Sequence, residues 1–192
     1  ESGLAARLFT PIASLHDEPI IIEGEGTLRH RPMSMMVVPL KELGVDVRDG
    51  GGRLPIEVCG PIRGGRVTVD GSMSSQFVTG LLIALPLAER DTTIEVEGLV
   101  STPYIDMTLE TLERFGVEVM YHEGDYSECY IEGGQEFKAV DYTIESDWSA
   151  AATIMVAAAI AGEVTINNLS TLSRQADTAI CRALERAGAS LI

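Results

Sequence analysis

Leu112-Glu113-Arg114-Phe115-Gly116-Val117-Glu118-Val119 is the stretch on which the fold turns, because the chain repeats it. Leu40-Lys41-Glu42-Leu43-Gly44-Val45-Asp46-Val47 comes before it and Leu184-Glu185-Arg186-Ala187-Gly188-Ala189-Ser190-Leu191 after it. Gly44, Gly116 and Gly188 stand 72 residues apart each time. Each copy reads as the end of a helix, a glycine stop, then an alternating strand.

Working outward, the rest of the period repeats too. Apolar helices are predicted at 4–15, 74–85 and 149–160, and the second and third open on serines. Strands follow at 19–23, 92–96 and 163–166, then amphipathic helices at roughly 33–43, 105–115 and 177–187. In the middle one, Ile105, Leu109, Leu112 and Phe115 form a single apolar stripe. Strands such as 66–69 and 141–144 complete a βαβαββ unit of about 72 residues. The first helix of each unit is apolar nearly all round, which predicts burial on every side. The expected fold class is therefore α/β (α+β), repeated βαβαββ units with buried helices. The units are too long for a solenoid, and a domain boundary is expected near 140–146.

The 192 residues carry 14 basic and 29 acidic side chains, a net charge of −15. Such an acidic body repels polyphosphate and excludes a nucleic-acid-binding role. The basic residues are arginine except for Lys41 and Lys138, so a site for a small anion must be a local cluster of guanidinium groups. Cys59, Cys129 and Cys181 are too far apart for a zinc motif or a disulfide framework and suggest a reducing compartment. His16, His30 and His122 lack metal-ligand spacing. No apolar run reaches the ~18 residues of a membrane span. A cytoplasmic location is expected, without cofactor, metal or membrane partner. The first residue is Glu1 and the last, Ile192, falls in a predicted strand, so a fragment of a longer protein is expected.

Four segments could carry chemistry. Asp70-Gly71-Ser72-Met73-Ser74-Ser75-Gln76-Phe77 precedes an apolar helix, where hydroxyls and free N–H groups can receive a phosphate. A serine N-cap with nothing bound is the alternative. Ser101-Thr102-Pro103-Tyr104-Ile105-Asp106 occupies the strand-to-helix loop of the same unit, where an ordinary capped helix start competes with a binding loop. Thr27-Leu28-Arg29-His30-Arg31-Pro32-Met33 offers an arginine beside a proline, either an anion clamp or a solvated pair. Glu1-Ser2-Gly3 with Arg7 opens the first apolar helix, and Gly3 permits close backbone approach. Asp147 is expected to cap the third apolar helix, and Cys59 to be structural. No catalytic triad, Walker motif or dinucleotide fingerprint is present.

Together, the 70–77 motif, Ser101-Thr102-Pro103-Tyr104-Ile105-Asp106-Met107-Thr108 and Arg31-Pro32-Met33 resemble the 5-enolpyruvylshikimate-3-phosphate synthase family. The resemblance runs from Glu1 to Ile192. It implies an inside-out α/β barrel built of βαβαββ units, here partial. Residues 1–142 would be the last two units of the first domain, and 143–192 the first unit of the second. It further implies shikimate 3-phosphate contacts by Ser74, Ser75, Gln76, Ser101 and Tyr104. Phosphoenolpyruvate contacts would come from Gly3, Arg31 and Gln76.

The implied reaction joins the shikimate 5-hydroxyl to C2 of phosphoenolpyruvate and then releases phosphate. The family's catalytic groups have no counterparts in this chain, so catalytic residues are expected in missing segments and the chain alone is expected to be inactive. Glu1 and Leu4 stand where the family has asparagine and threonine. The parent protein is expected to be monomeric, while apolar surface exposed by truncation gives the fragment a route to self-association. Two alternatives are a non-catalytic ligand-binding fragment and a UDP-N-acetylglucosamine enolpyruvyl transferase relative. That relative's signature cysteine is absent from residues 25–30.

Overall fold

A computed structural model describes residues 2–122 and 124–191, so Glu1, with the expectation attached to it, lies outside the described residues. The chain divides into two compact units, Glu1–Ala139 and Val140–Ile192.

The first unit holds two copies of the repeat. The second copy is complete: β4 (Gly65–Asp70), α3 (Ser75–Ala84), β5 (Thr92–Glu97), α4 (Thr102–Arg114), β6 (Val119–His122) and β7 (Asp125–Ile131). Its sheet has the order β4-β5-β7-β6, with β4 and β5 parallel and the other pairs antiparallel. The first copy comprises α1 (Gly3–Ala13), β1 (Ile20–Ile22), α2 (Val37–Glu42), β2 (Asp46–Asp49) and β3 (Ile56–Cys59). Its strand order, β1-β3-β2, matches β5-β7-β6 of the second copy.

The three glycine stops are the same motif. Gly44, Gly116 and Gly188 take φ of +90°, +78° and +93°, a region that Cβ-bearing residues disfavour. At each stop the glycine N–H donates to the carbonyl three residues back and the next N–H to the carbonyl five back. Val45 reaches Leu40, Val117 reaches Leu112 and Ala189 reaches Leu184, all at 2.9–3.0 Å. This is the Schellman closure, with an apolar residue on each side of the stop. In the first unit a cationic residue closes it further. Arg63 and Lys138 donate their backbone N–H to the Leu43 and Phe115 carbonyls, both at 2.8 Å, and their stems lie over the glycines.

One continuous core fills this unit, with Met36, Leu40, Ile56, Phe77, Leu81, Ile94 and Ile105 fully buried. α3 is enclosed as its composition predicts. At Gly80 a β-carbon would come within 2.6 Å of the Leu8 carbonyl, so α1 and α3 meet backbone to backbone. α1 is only partly enclosed, since Leu4 and Phe9 are half-exposed. The helix expected at 33–43 starts late: 34–36 form a 3-10 turn and α2 begins at Val37. The Met33 N–H donates away to the Gly52 carbonyl, and no side chain caps the entry.

The Val140–Ile192 unit holds α5 (Trp148–Ala161) and α6 (Ala179–Arg186). Asp147 caps α5 as expected, accepting the Ser149 N–H at 2.9 Å. The strands expected at 141–144 and 163–166 are absent. Polar links tie their neighbourhoods instead: the Ser146 N–H donates to the Asn168 carbonyl and Asn168 Nδ2 to the Ile144 carbonyl. In the second copy the corresponding strands, β4 and β5, pair in parallel within the four-stranded sheet. α5 corrects the expectation of burial as well. Only Trp148 and Ala151 are buried along it, and Ile160 is 83% exposed. Among the described residues too little apolar surface packs around it. No helix among them is long and apolar enough to cross a membrane.

Candidate functional site

The N-terminus of α3 places the serine cluster. Ser74 adopts extended backbone and its Oγ accepts the Gln76 N–H at 3.1 Å, so capping accounts for this one hydroxyl. Ser75 begins the helix and is buried, and Gln76 is half-buried beside it. Just upstream, Asp70 accepts the Ser72 N–H at 2.9 Å, and Ser72 holds its carboxyl below the usual range.

The second wall comes from the entry to α4. Ser101 precedes the helix at φ +60°, ψ +45°, a left-handed conformation costing a serine roughly 1–2 kcal/mol. Pro103 in the first turn fits its fixed φ and missing N–H. Tyr104 follows with 45% of its surface exposed. Thr79 and Thr108, 3.2 Å apart through their hydroxyls, link α3 to α4 below these residues.

Between the walls runs an open groove of about 690 Å³. It brings together Ser74, Ser75, Gln76, Ser101 and Tyr104, five of the residues the sequence singles out. Leu4 and Arg7 of α1 close one side. Gly3 and Arg31 are not in the lining, but they stand together at the start of α1. A β-carbon on Gly3 would lie 2.8 Å from Arg31 Nη1, so the missing side chain is what admits this guanidinium.

Arg7, which the sequence places with Glu1-Ser2-Gly3 in a candidate segment but without a partner, is a site residue. Its Nη1 donates to Gln76 Oε1 at 3.1 Å and its Nη2 to the Pro32 carbonyl at 3.4 Å, while the buried Nε has no partner. Burial and then the Arg31 charge lower its proton affinity. Among the described residues, neither Arg7 nor Arg31 pairs with a carboxylate. Two guanidinium groups that repel each other, neither paired with a carboxylate among the described residues, make the entry to α1 locally positive. In a body of charge −15 this is the local positive cluster that the composition requires of an anion site. The sequence signals Arg7 by its place beside Glu1-Ser2-Gly3 and by the matching helices that hold Arg7 and Gln76 in successive copies. Among the described residues, no group of histidine, cysteine, aspartate or glutamate could hold a metal ion.

A family model described as EPSP synthase (3-phosphoshikimate 1-carboxyvinyltransferase) matches residues 1–192. A 3-phosphoshikimate 1-carboxyvinyltransferase of Methanosarcina acetivorans is 38% identical over 99% of this chain and 45% of its own length. One from Yersinia pestis is 39% identical with the same coverage. The solved EPSP synthase from Acinetobacter baumannii superposes with a TM-score of 0.77 at 25% identity, covering all of this chain and 42% of that one. The chain thus spans about 45% of the length of the curated relatives it matches.

Proposed function

The chain belongs to the EPSP synthase family, and from that premise we propose that it serves the transfer of the enolpyruvyl group from phosphoenolpyruvate to shikimate 3-phosphate. The observation that supports this reading best is the groove. Ser74, Ser75, Gln76, Ser101 and Tyr104, the residues that match the family's motifs, converge on one open space.

The chemistry suits the ligand. A phosphate set against the first turn of α3 meets free N–H groups and the positive end of the helix dipole. Ser75 and Ser101 add hydroxyl donors, and Tyr104 offers a ring face with a polar tip to a hydroxylated six-membered ring. Arg31 beside Gly3 would hold the carboxylate or phosphate of phosphoenolpyruvate, and Gln76 would reach both substrates.

In the reaction the shikimate 5-hydroxyl oxygen bonds to C2 of phosphoenolpyruvate, losing its proton while C3 gains one. Loss of a C3 proton and cleavage of the C2–O bond then release phosphate and leave the enol ether. These proton transfers need acid–base groups. None is assigned within this chain, which we expect to bind but not to turn over. Residues 1–142 are read as the last two units of the first domain and 143–192 as the first unit of the second. The setting we propose is the cytoplasm, with small-molecule substrates and neither nucleic acid nor membrane as partner.

The test is a titration of shikimate 3-phosphate into the chain, followed through backbone amide NMR shifts. Shifts clustered at residues 74–76, 101 and 104 are expected. Their absence up to millimolar ligand would overturn the assignment of the groove to this chain.

A further inference from the structure

We infer that Arg7 is a positioning residue that locks the Gln76 side-chain amide as a hydrogen-bond donor to the groove. The claim concerns Gln76's orientation and extends the phosphoshikimate reading, on which its second test rests.

A glutamine amide can present either its oxygen or its NH2 group to a ligand, and the two flips are nearly equal in shape. A guanidinium has N–H donors and no acceptor. Next to Arg7 Nη1, at 3.1 Å, only the amide oxygen can therefore face the arginine. That bond turns Nε2, with its two N–H groups, away from Arg7. Among the described residues Nε2 meets no acceptor, while the Gln76 backbone N–H is already used by Ser74.

Arg7 itself is anchored by the Pro32 carbonyl, so the oxygen is held from a fixed point. The consequence is specificity: the group Gln76 turns away from Arg7 is Nε2, a donor suited to a phosphate, carboxylate or ether oxygen. Arg7 acts on the ligand by holding this amide, even though it lines the groove.

Two arms test the inference. In the free chain, the Gln76 Cδ resonance should show the shift of a carbonyl accepting a charge-assisted bond and should return to the free-glutamine position in Arg7→Met. A Cδ resonance at the free position in the unsubstituted chain, or one unmoved by the substitution, overturns the lock without reference to any substrate. The second arm is a double-mutant cycle read by shikimate 3-phosphate affinity. Arg7→Met should weaken binding about tenfold when Gln76 is present, and less than about twofold in a Gln76→Ala background. Equal losses in both backgrounds overturn the inference, because Arg7 would then act on the ligand directly. Gln76→Glu should keep the arginine contact, leave the melting temperature unreduced and still lose affinity, since it replaces the donor with an acceptor. Retained affinity in that variant also overturns the inference. If the unsubstituted chain binds no shikimate 3-phosphate, the phosphoshikimate reading fails and the Cδ arm alone decides the lock.

Discussion

Replacing Gly116 by alanine isolates what the repeated glycine stop contributes. At φ +78° an alanine costs roughly 1–2 kcal/mol in backbone strain. Its β-carbon would also lie 2.7 Å from Lys138 Cδ and 3.1 Å from Cγ and Cε, well inside the ~3.5–4.0 Å optimum for carbon pairs. The lysine stem is flexible and can swing aside, so the steric part adds less than about 1 kcal/mol. The sum is about 2 kcal/mol, or a fall of about 4–8 °C in melting temperature for a unit of this size. Urea denaturation followed by far-UV circular dichroism measures it, with an unchanged m-value as the sign that only stability has moved.

Two other glycines bracket the result. Gly51, at φ +72° with nothing within 4 Å of its β-carbon position, should show the backbone cost alone. Gly64, at φ +84°, would press a β-carbon to 2.2 Å from the Arg90 carbonyl oxygen, which is backbone and cannot swing away. Its alanine variant should exceed about 3 kcal/mol. Lys138→Ala in the Gly116→Ala background should recover the steric part, because the backbone N–H that closes the turn remains. The reasoning is refuted if Gly116→Ala is as mild as Gly51→Ala and Lys138→Ala changes nothing.

Other expectations follow from the same geometry. Ser101→Gly should stabilise the chain by about 1 kcal/mol by relieving left-handed strain, yet weaken shikimate 3-phosphate binding; opposite signs in melting and titration are the readout. Burial, with Asp125 and Glu128 nearby, pushes the Cys129 thiol up to about 11. At pH 8, iodoacetamide followed by mass spectrometry should therefore label Cys59 and Cys181 before Cys129, a difference that denaturation removes. Asp91 accepts the Gly133 N–H and the Tyr130 hydroxyl, which hold its carboxyl below the usual range. Its contribution is present above the unfolded value of about 3.9 and is lost as pH falls through the lower folded value, so Asp91→Asn should flatten the acid limb of the stability profile below about pH 4.

The glycine stops were legible because a Schellman closure writes itself into neighbouring letters: a leucine, a glycine four residues on, then an apolar residue. Ser74 and Ser75 were legible for the same reason, since a helix start is a local event. Partnership is not local. Residues 163–166 have a strand's alternation, but a strand forms only beside another, and residues 141–144, the counterpart of β4, do not pair with them. α5 has the composition of a buried helix, and composition states a preference without supplying the neighbours that satisfy it. Arg7 illustrates the same limit at the site. Its bond to Gln76 joins positions 69 residues apart, and nothing in the letters around either one announces the other.

Arg7 and Gln76 also show how a duplicated chain acquires chemistry. One period on from Arg7 stands Thr79, and one period back from Gln76 stands Leu4. The two copies share strand order and glycine stops but differ at the positions facing the groove. Unequal crossing-over that overwrote one copy with the other would keep that scaffold and still put threonine where Arg7 stands, or leucine where Gln76 stands. Architecture and recognition can thus be inherited separately: the scaffold is what the copies hold in common, and selection for a ligand acts on the few positions where they have stopped being copies.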